Sequence, residues 1–295
     1  MSRLFFSLAA LILAFIPSVA QFVPADNYGL VKTNIALTYD HTFGPVSDHI
    51  RARESYEFLR THGFTLTANG HFNTLRSDFD ADDIEYPALP ADMGMNGTHL
   101  YGQVGLSATY RTMLWNKPLV TMGVVSVDFG NRRFQRVSGM AMALIMLRAN
   151  RTTQFGIGPL VLINTTSRIP AFPVFILRHR FNRLLSLNFY GMMYGLDITP
   201  TANDLFTVGG DIDVRAFYFS PDRPDLPRHC RYNSTSLRPS VKYRRCILPR
   251  FYGELQGGVA IKMSSRVNGA TGSHRYFEVR QSPHPFLQAS LTYSL

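Results

Sequence analysis

FLQASLTYSL, residues 286–295, closes the chain, and its reading decides the fold. Leu287, Ala289, Leu291, Tyr293 and Leu295 share one parity, while Gln288, Ser290, Thr292 and Ser294 share the other. Strict alternation of apolar and small polar residues sorts onto two faces only in a strand. A tilted strand crosses a bilayer with about 9–11 residues, and this stretch has ten. An apolar face and a polar face, kept up to the last residue, suit a strand set between lipid and a wet interior.

Working outward, the same alternation recurs along the chain. Ile35, Leu37 and Tyr39 alternate with Asn34, Thr38 and Asp40, and Phe206, Val208, Ile212 and Val214 with Thr207, Asp211 and Asp213. Strands are expected near 31–40, 54–72, 100–111, 119–129, 134–147, 155–163, 172–180, 184–191, 204–220, 237–247, 251–264 and 286–295. The Met-dense run 134–147 is also compatible with a helix, although its turn-like flanks favour a strand. Loops are expected at 41–53, 73–97, 221–235 and 265–284. The expectation is all-β: an antiparallel up-and-down transmembrane β-barrel of about 12 strands. Closure removes the edges such a meander would expose. With that count, 73–97 falls on the rim where short turns belong, opposite the two late loops.

Residues 4–17 form a short apolar run after Arg3, followed by Ser18-Val19-Ala20. That is the pattern of a secretory signal peptide, giving residues 1–20 as a cleaved leader and 21–295 as a single barrel domain. No later stretch is apolar enough for a membrane helix. The formal charge is +10, but an exported chain with dispersed basic residues does not suggest nucleic acid. Anionic lipid head groups suit that charge better. Cys230 and Cys246 are too few for a disulfide-built fold. If 237–247 is one strand, its ends lie ~33 Å apart at ~3.3 Å per residue, so two free thiols are expected.

The terminal alternation through Leu291, Tyr293 and Leu295 resembles the C-terminal assembly signal of Gram-negative outer-membrane β-barrels, which usually end in Phe. PVFILRHRFNRLLSLNFYG (173–191) and GGDIDVRAFYF (209–219) look like uncharacterised outer-membrane barrel families of Bacteroidetes. The resemblance implies residence in the bacterial outer membrane and insertion by the barrel assembly machinery. It also implies contact with outer-membrane lipid and lipopolysaccharide. It implies no activity.

Parity assigns a set of charges to the polar faces of neighbouring strands: Asp211, Asp213, Arg215, Arg178, Arg180, Lys242, Arg244, Glu254 and Lys262. Opposite charges across a narrow bore should pair, because an unpaired buried charge costs several kcal/mol. Asp40, His41, Asp48 and His49 are weak catalytic candidates; general-base work needs a His held near an acid, and sequence neighbours on a strand face opposite ways. Asp78, Asp80 and Asp82 match the start of a calcium loop, but Asp83 stands where that loop needs Gly. No HExxH, GxSxG or P-loop pattern occurs, and no cofactor is expected. The leading expectation is therefore a non-enzymatic barrel with a narrow or plugged channel, or a structural or surface-binding role. A barrel enzyme acting on lipid or peptide and a secreted soluble β-domain are the alternatives.

Overall fold

The computed structural model describes residues 34–80, 84–85, 94–130, 133–163, 171–221, 226–269, 275–279 and 281–294. They form strands and turns without a helix, including across the Met-dense run. In chain order the strands are β1 (Asn34–Thr42), β2 (Val46–Arg60), β3 (Phe64–Ser77), β4 (Ile84–Glu85), β5 (Gly97–Leu114) and β6 (Lys117–Gly130). Next come β7 (Arg133–Ala149), β8 (Thr153–Ile163), β9 (Ala171–Arg180), β10 (Leu185–Tyr190) and β11 (Met193–Ile198). The last are β12 (Asp204–Phe219), β13 (Cys230–Leu248), β14 (Phe251–Gly269), β15 (Arg275–Val279) and β16 (His284–Ser294). The proposed leader, residues 1–20, and Leu295 lie outside the described residues.

All of these except β4 and β15 join one closed antiparallel ring of 14 strands. The terminal strand seals it: β16 pairs β1 on one side, Leu291 facing Leu37, and β14 on the other, Ala289 facing Leu255. Its sorting follows the sequence pattern, with Leu287, Leu291 and Tyr293 exposed outside and Phe286 buried inside.

Fourteen strands replace the expected twelve. One extra strand comes from 46–77, which is a hairpin turning at Gly63, whose φ is +84°. The first arm, β2, resembled a loop because its inward residues are His49, Arg51 and Ser55, polar side chains that line the bore. The other is β11, six residues that double back through Gly191 (φ +52°). With the corrected count, the end of β3 and the start of β5 lie on the same rim as the turn at 43–45, the end of β12 and the end of β14. The expected conflict between rims disappears. The opposite rim has tight turns, among them Trp115-Asn116, both left-handed as a two-residue hairpin requires.

The expected loops 221–235 and 265–284 are also partly strand, and here the wall stops being a cylinder. β12 pairs β11 only from Phe206 to Asp211. Beyond that point Ile212–Phe219 pairs β13 alone and is buried on both faces, as is the start of β13. This half-hairpin leans across the bore until it touches β5 on the far wall. The bend follows a line of small or rigid residues: Gly209-Gly210 on β12, Pro239-Ser240 on β13 and Gly257-Gly258 on β14. A Cβ on Gly209 would lie 2.0 Å from the Tyr194 carbonyl oxygen, and one on Gly258 2.1 Å from that of Pro239. Backbones that close admit only glycine.

The leaning sheet, extended by β15 and β4, has an apolar core of its own. Phe217, Phe219, Tyr232, Val267 and Phe277 pack there with Val46, Leu75, Phe79 and Met95 from the rim below. Cys230 is buried in this cap and Cys246 lies near the other end of the same strand; both thiols are free.

Candidate functional site

Under the cap, three carboxylates and three guanidinium groups from β1, β2, β12 and β13 meet inside the bore. Asp40, on β1, accepts Arg215 Nη2 (3.0 Å) on one oxygen, and Arg51 Nη2 (3.2 Å) and Arg238 Nη1 (2.6 Å) on the other. Asp213 accepts Arg215 Nε (2.7 Å) and Arg51 Nη1 (3.2 Å). Asp211 accepts Arg238 through both Nε (2.8 Å) and Nη2 (3.3 Å), a bidentate pair. Gln288 on β16 receives Arg51 and Arg238, and Gln256 on β14 donates to Asp211 (3.0 Å). The Asp40 side chain has no solvent exposure at all.

Geometry explains why these residues meet. Asp211, Asp213 and Arg215 share the inward parity of β12, and the lean carries Arg215 over to Asp40, Thr42 and the Val46 carbonyl oxygen. Arg238 is flanked by the ring of Phe286, with the guanidinium carbon 4.6 Å from its centroid. A second group lies between β5, β6 and β7. Asp128 accepts Arg136 Nε (2.7 Å) and Gln103 (2.7 Å), and Ser126 and Ser138 complete it. Tyr101 and Tyr218 stack above that group.

The opposing inner wall is different in kind. Met122, Val124, Met140, Met142, Leu160, Leu162 and Val174 form an apolar lining on β6 to β9. Apart from the Asp128–Arg136 group near one end of β6, the bore is thus charged on the β12 to β2 side and apolar on the β6 to β9 side.

The structure brings only some of the expected charges together. Asp211, Asp213 and Arg215 are in the central network. Glu254 pairs instead with Lys242 (3.3 Å) and Arg244 (2.9 Å), nearer the short-turn rim. Lys262 donates to Ser234 (3.3 Å) below the cap. Arg178 and Arg180 face Asn188 and Ser186 of β10 in register, away from the network. Asp40, a weak catalytic candidate, is the network's central carboxylate, and His49 donates to Asn73 (3.0 Å) inside the bore. His41 and Asp48 face outward and share a hydrogen bond (2.9 Å) across β1 and β2, a pairing that sequence adjacency could not show. Asp78 and Asp80 are exposed, Asp82 is outside the described residues, and no metal-ligand cluster forms among the described residues.

Arg51 and Arg238 were missed. Arg51 fell in an expected loop. Arg238 stands just before Pro239, but parity from Lys242 and Arg244 would have found it.

No protein-family model and no curated protein matches the sequence. Among solved structures, an outer-membrane channel from Pseudomonas putida F1 is similar at TM-score 0.44 and 11% identity, over 92% of this chain and 99% of that one. The Pseudomonas putida toluene transporter TodX gives 0.37 and 9%, over 97% and 93%. LpxR from Salmonella typhimurium gives 0.32 and 9%, over 89% and 100%. These neighbours are barrels of Gram-negative outer membranes. The likeness extends to strand architecture and no further, and the expected tie to Bacteroidetes has no counterpart among them.

Proposed function

We propose that the chain is an outer-membrane channel barrel held shut at rest by its own wall. The observation that carries this reading is the half-hairpin of β12 and β13, seated across the bore and pinned by Asp40, Asp211, Asp213, Arg51, Arg215 and Arg238. Its outer surface supports membrane residence: Leu37, Leu106, Val125, Val137, Leu255 and Leu291 are each 47–61% exposed on consecutive or near-consecutive strands, a band that water would leave uncovered. Residues 1–20 act as the export signal in this reading. The terminal strand, with Leu291, Tyr293 and Leu295, addresses the assembly machinery, and lipid and lipopolysaccharide are the surroundings.

The bore selects anions when the cap lifts. Around the closure, Arg51, Arg53, Arg136, Arg215, Arg238 and Lys262 outweigh Asp40, Asp128, Asp211 and Asp213, and charge lining a narrow pore sets its preference. The test is planar-bilayer recording of the detergent-purified barrel. The wild type should be closed or nearly so. A variant with Asp211→Ala and Asp213→Ala should open, with a reversal potential in a KCl gradient favouring chloride. A wild type with steady large conductance would defeat the closed reading, and cation preference in the variant would defeat the selectivity.

A further inference from the structure

The central network is balanced within itself. Asp40, Asp211 and Asp213 supply three negative charges, and Arg51, Arg215 and Arg238 three positive ones. Lys262 on β14 adds a fourth cation beside them. Asp213, Ser236 and Lys262 are successive cross-strand partners on β12, β13 and β14, so their side chains share one face. Two strand spacings, roughly 10 Å between Cα atoms, set Lys262 back from Asp213. Its Nζ donates to Ser234 Oγ at 3.3 Å and forms no ion pair among the described residues. Both oxygens of Asp40 and both of Asp213 are already taken by guanidinium groups. An enclosed ammonium without a counter-charge either sheds its proton or acquires an anion.

Space for an anion lies next to it. A cavity of about 10 Å3 sits between the 43–45 turn and the leaning sheet, lined by Lys262, Arg215, Thr42, Ser236 and Gln281 among others. That is about the least room that holds one water, enough for a monatomic ion and too little for a phosphate or carboxylate. Donors around it are in part unclaimed. The Ser236 hydroxyl makes no hydrogen bond among the described residues. Arg215 makes four hydrogen bonds, one fewer than the five N–H groups a guanidinium carries. No Asp or Glu is among the described residues that line the cavity.

We propose that this cavity is a halide site, in which one chloride ion lies between Lys262, Arg215 and Ser236. The ion supplies the fourth negative charge and accepts from all three donors at once, which keeps Lys262 protonated. The site stands apart from the channel reading, because the charges balance this way whether or not the bore ever opens.

The full barrel, purified in mild detergent, is held at constant ionic strength while chloride replaces gluconate, an anion too large for the cavity. Urea midpoints are the readout, and heat-modifiable gel mobility checks the fold of each variant. The wild-type midpoint should rise with chloride and saturate, and bromide should substitute for it. Lys262→Met should abolish the dependence, and Ser236→Ala should raise the half-saturating chloride several-fold. Lys117→Met, at an exposed lysine beside the Trp115-Asn116 turn, should respond as the wild type does. Should Lys262→Met fail to fold, wild-type crystals grown in bromide decide, with an anomalous peak expected within hydrogen-bond reach of Lys262 Nζ. A wild type indifferent to chloride overturns the proposal, and Lys262 then sheds its proton instead. A chloride response unchanged in Lys262→Met overturns it too. So does a bromide peak found only elsewhere, or one beside Lys262 without a saturable effect in solution, which would be an adventitious ion only.

Discussion

Phe217 on β12 lies against His99 on β5, ring centroids 4.0 Å apart and planes 14° from parallel, although seven strand steps separate the two in either direction around the ring. Such a contact requires the wall itself to cross the bore. It also gives a local measure of closure. A double-mutant cycle of His99→Ala and Phe217→Ala, read from urea midpoints of the folded barrel, should return a coupling of about 0.5–1.5 kcal/mol. Additive effects would mean the hairpin is not seated on β5.

Removing Asp213 leaves Arg51, Arg215 and Arg238 short of a buried carboxylate. Breaking a buried ion pair from one side typically costs about 3–5 kcal/mol. Asp213→Ala should lower the unfolding free energy by that order and produce frequent opening steps in planar bilayers. Glu254→Ala, which disturbs a separate cluster, should leave the closed state intact.

Cys230 reports on the cap from inside. Its side chain is fully buried and touches the Pro227 carbonyl oxygen, while Cys246 is partly exposed. Maleimide should modify Cys246 readily and Cys230 slowly in the wild type. In Asp213→Ala the Cys230 rate should rise several-fold with the conductance. Equal rates in both proteins would separate the cap from the gate.

The outer and inner faces of β6 should respond oppositely to charge. Val125 points outward and is 59% exposed, and Ser126 points inward to Ser138. Val125→Arg should cost about 2–4 kcal/mol near the middle of the bilayer and reduce membrane yield. Ser126→Ala loses hydrogen bonds worth about 1 kcal/mol and should assemble normally. A chain indifferent to Val125→Arg is not facing lipid there.

The final strand is the seam of the ring, with Tyr293 opposite both Ile35 and Phe251. Tyr293→Asp should abolish heat-modifiable, membrane-resident protein. Normal yield would show that assembly reads another element.

The alternation of 286–295 and of 204–208 was legible because each strand there has one apolar and one polar face. β2 was not, since its inward face is His, Arg and Ser and carries no apolar rhythm. The lean was hidden for a related reason: parity continues unbroken past Asp211 whether the strand stays in the wall or leaves it. One signal was available. Ala216-Phe217-Tyr218-Phe219 is apolar or aromatic on both parities, as a strand buried on both sides must be. The charge set was legible residue by residue on β12, but its partners Asp40 and Arg51 come from a hairpin more than a hundred residues upstream, which no local pattern connects to it.

The Gly-Pro crease has a mechanical meaning. A bore plugged by a separate domain opens by losing that domain, whereas in the proposed closed channel stopper and wall would be one continuous sheet. Unfolding the crease would stand Ile212–Phe219 upright, raising the rim by up to ~26 Å for eight residues at ~3.3 Å each. The open molecule would be a chimney, taller on one side than the resting barrel, and its gating would be visible from outside as a change in height.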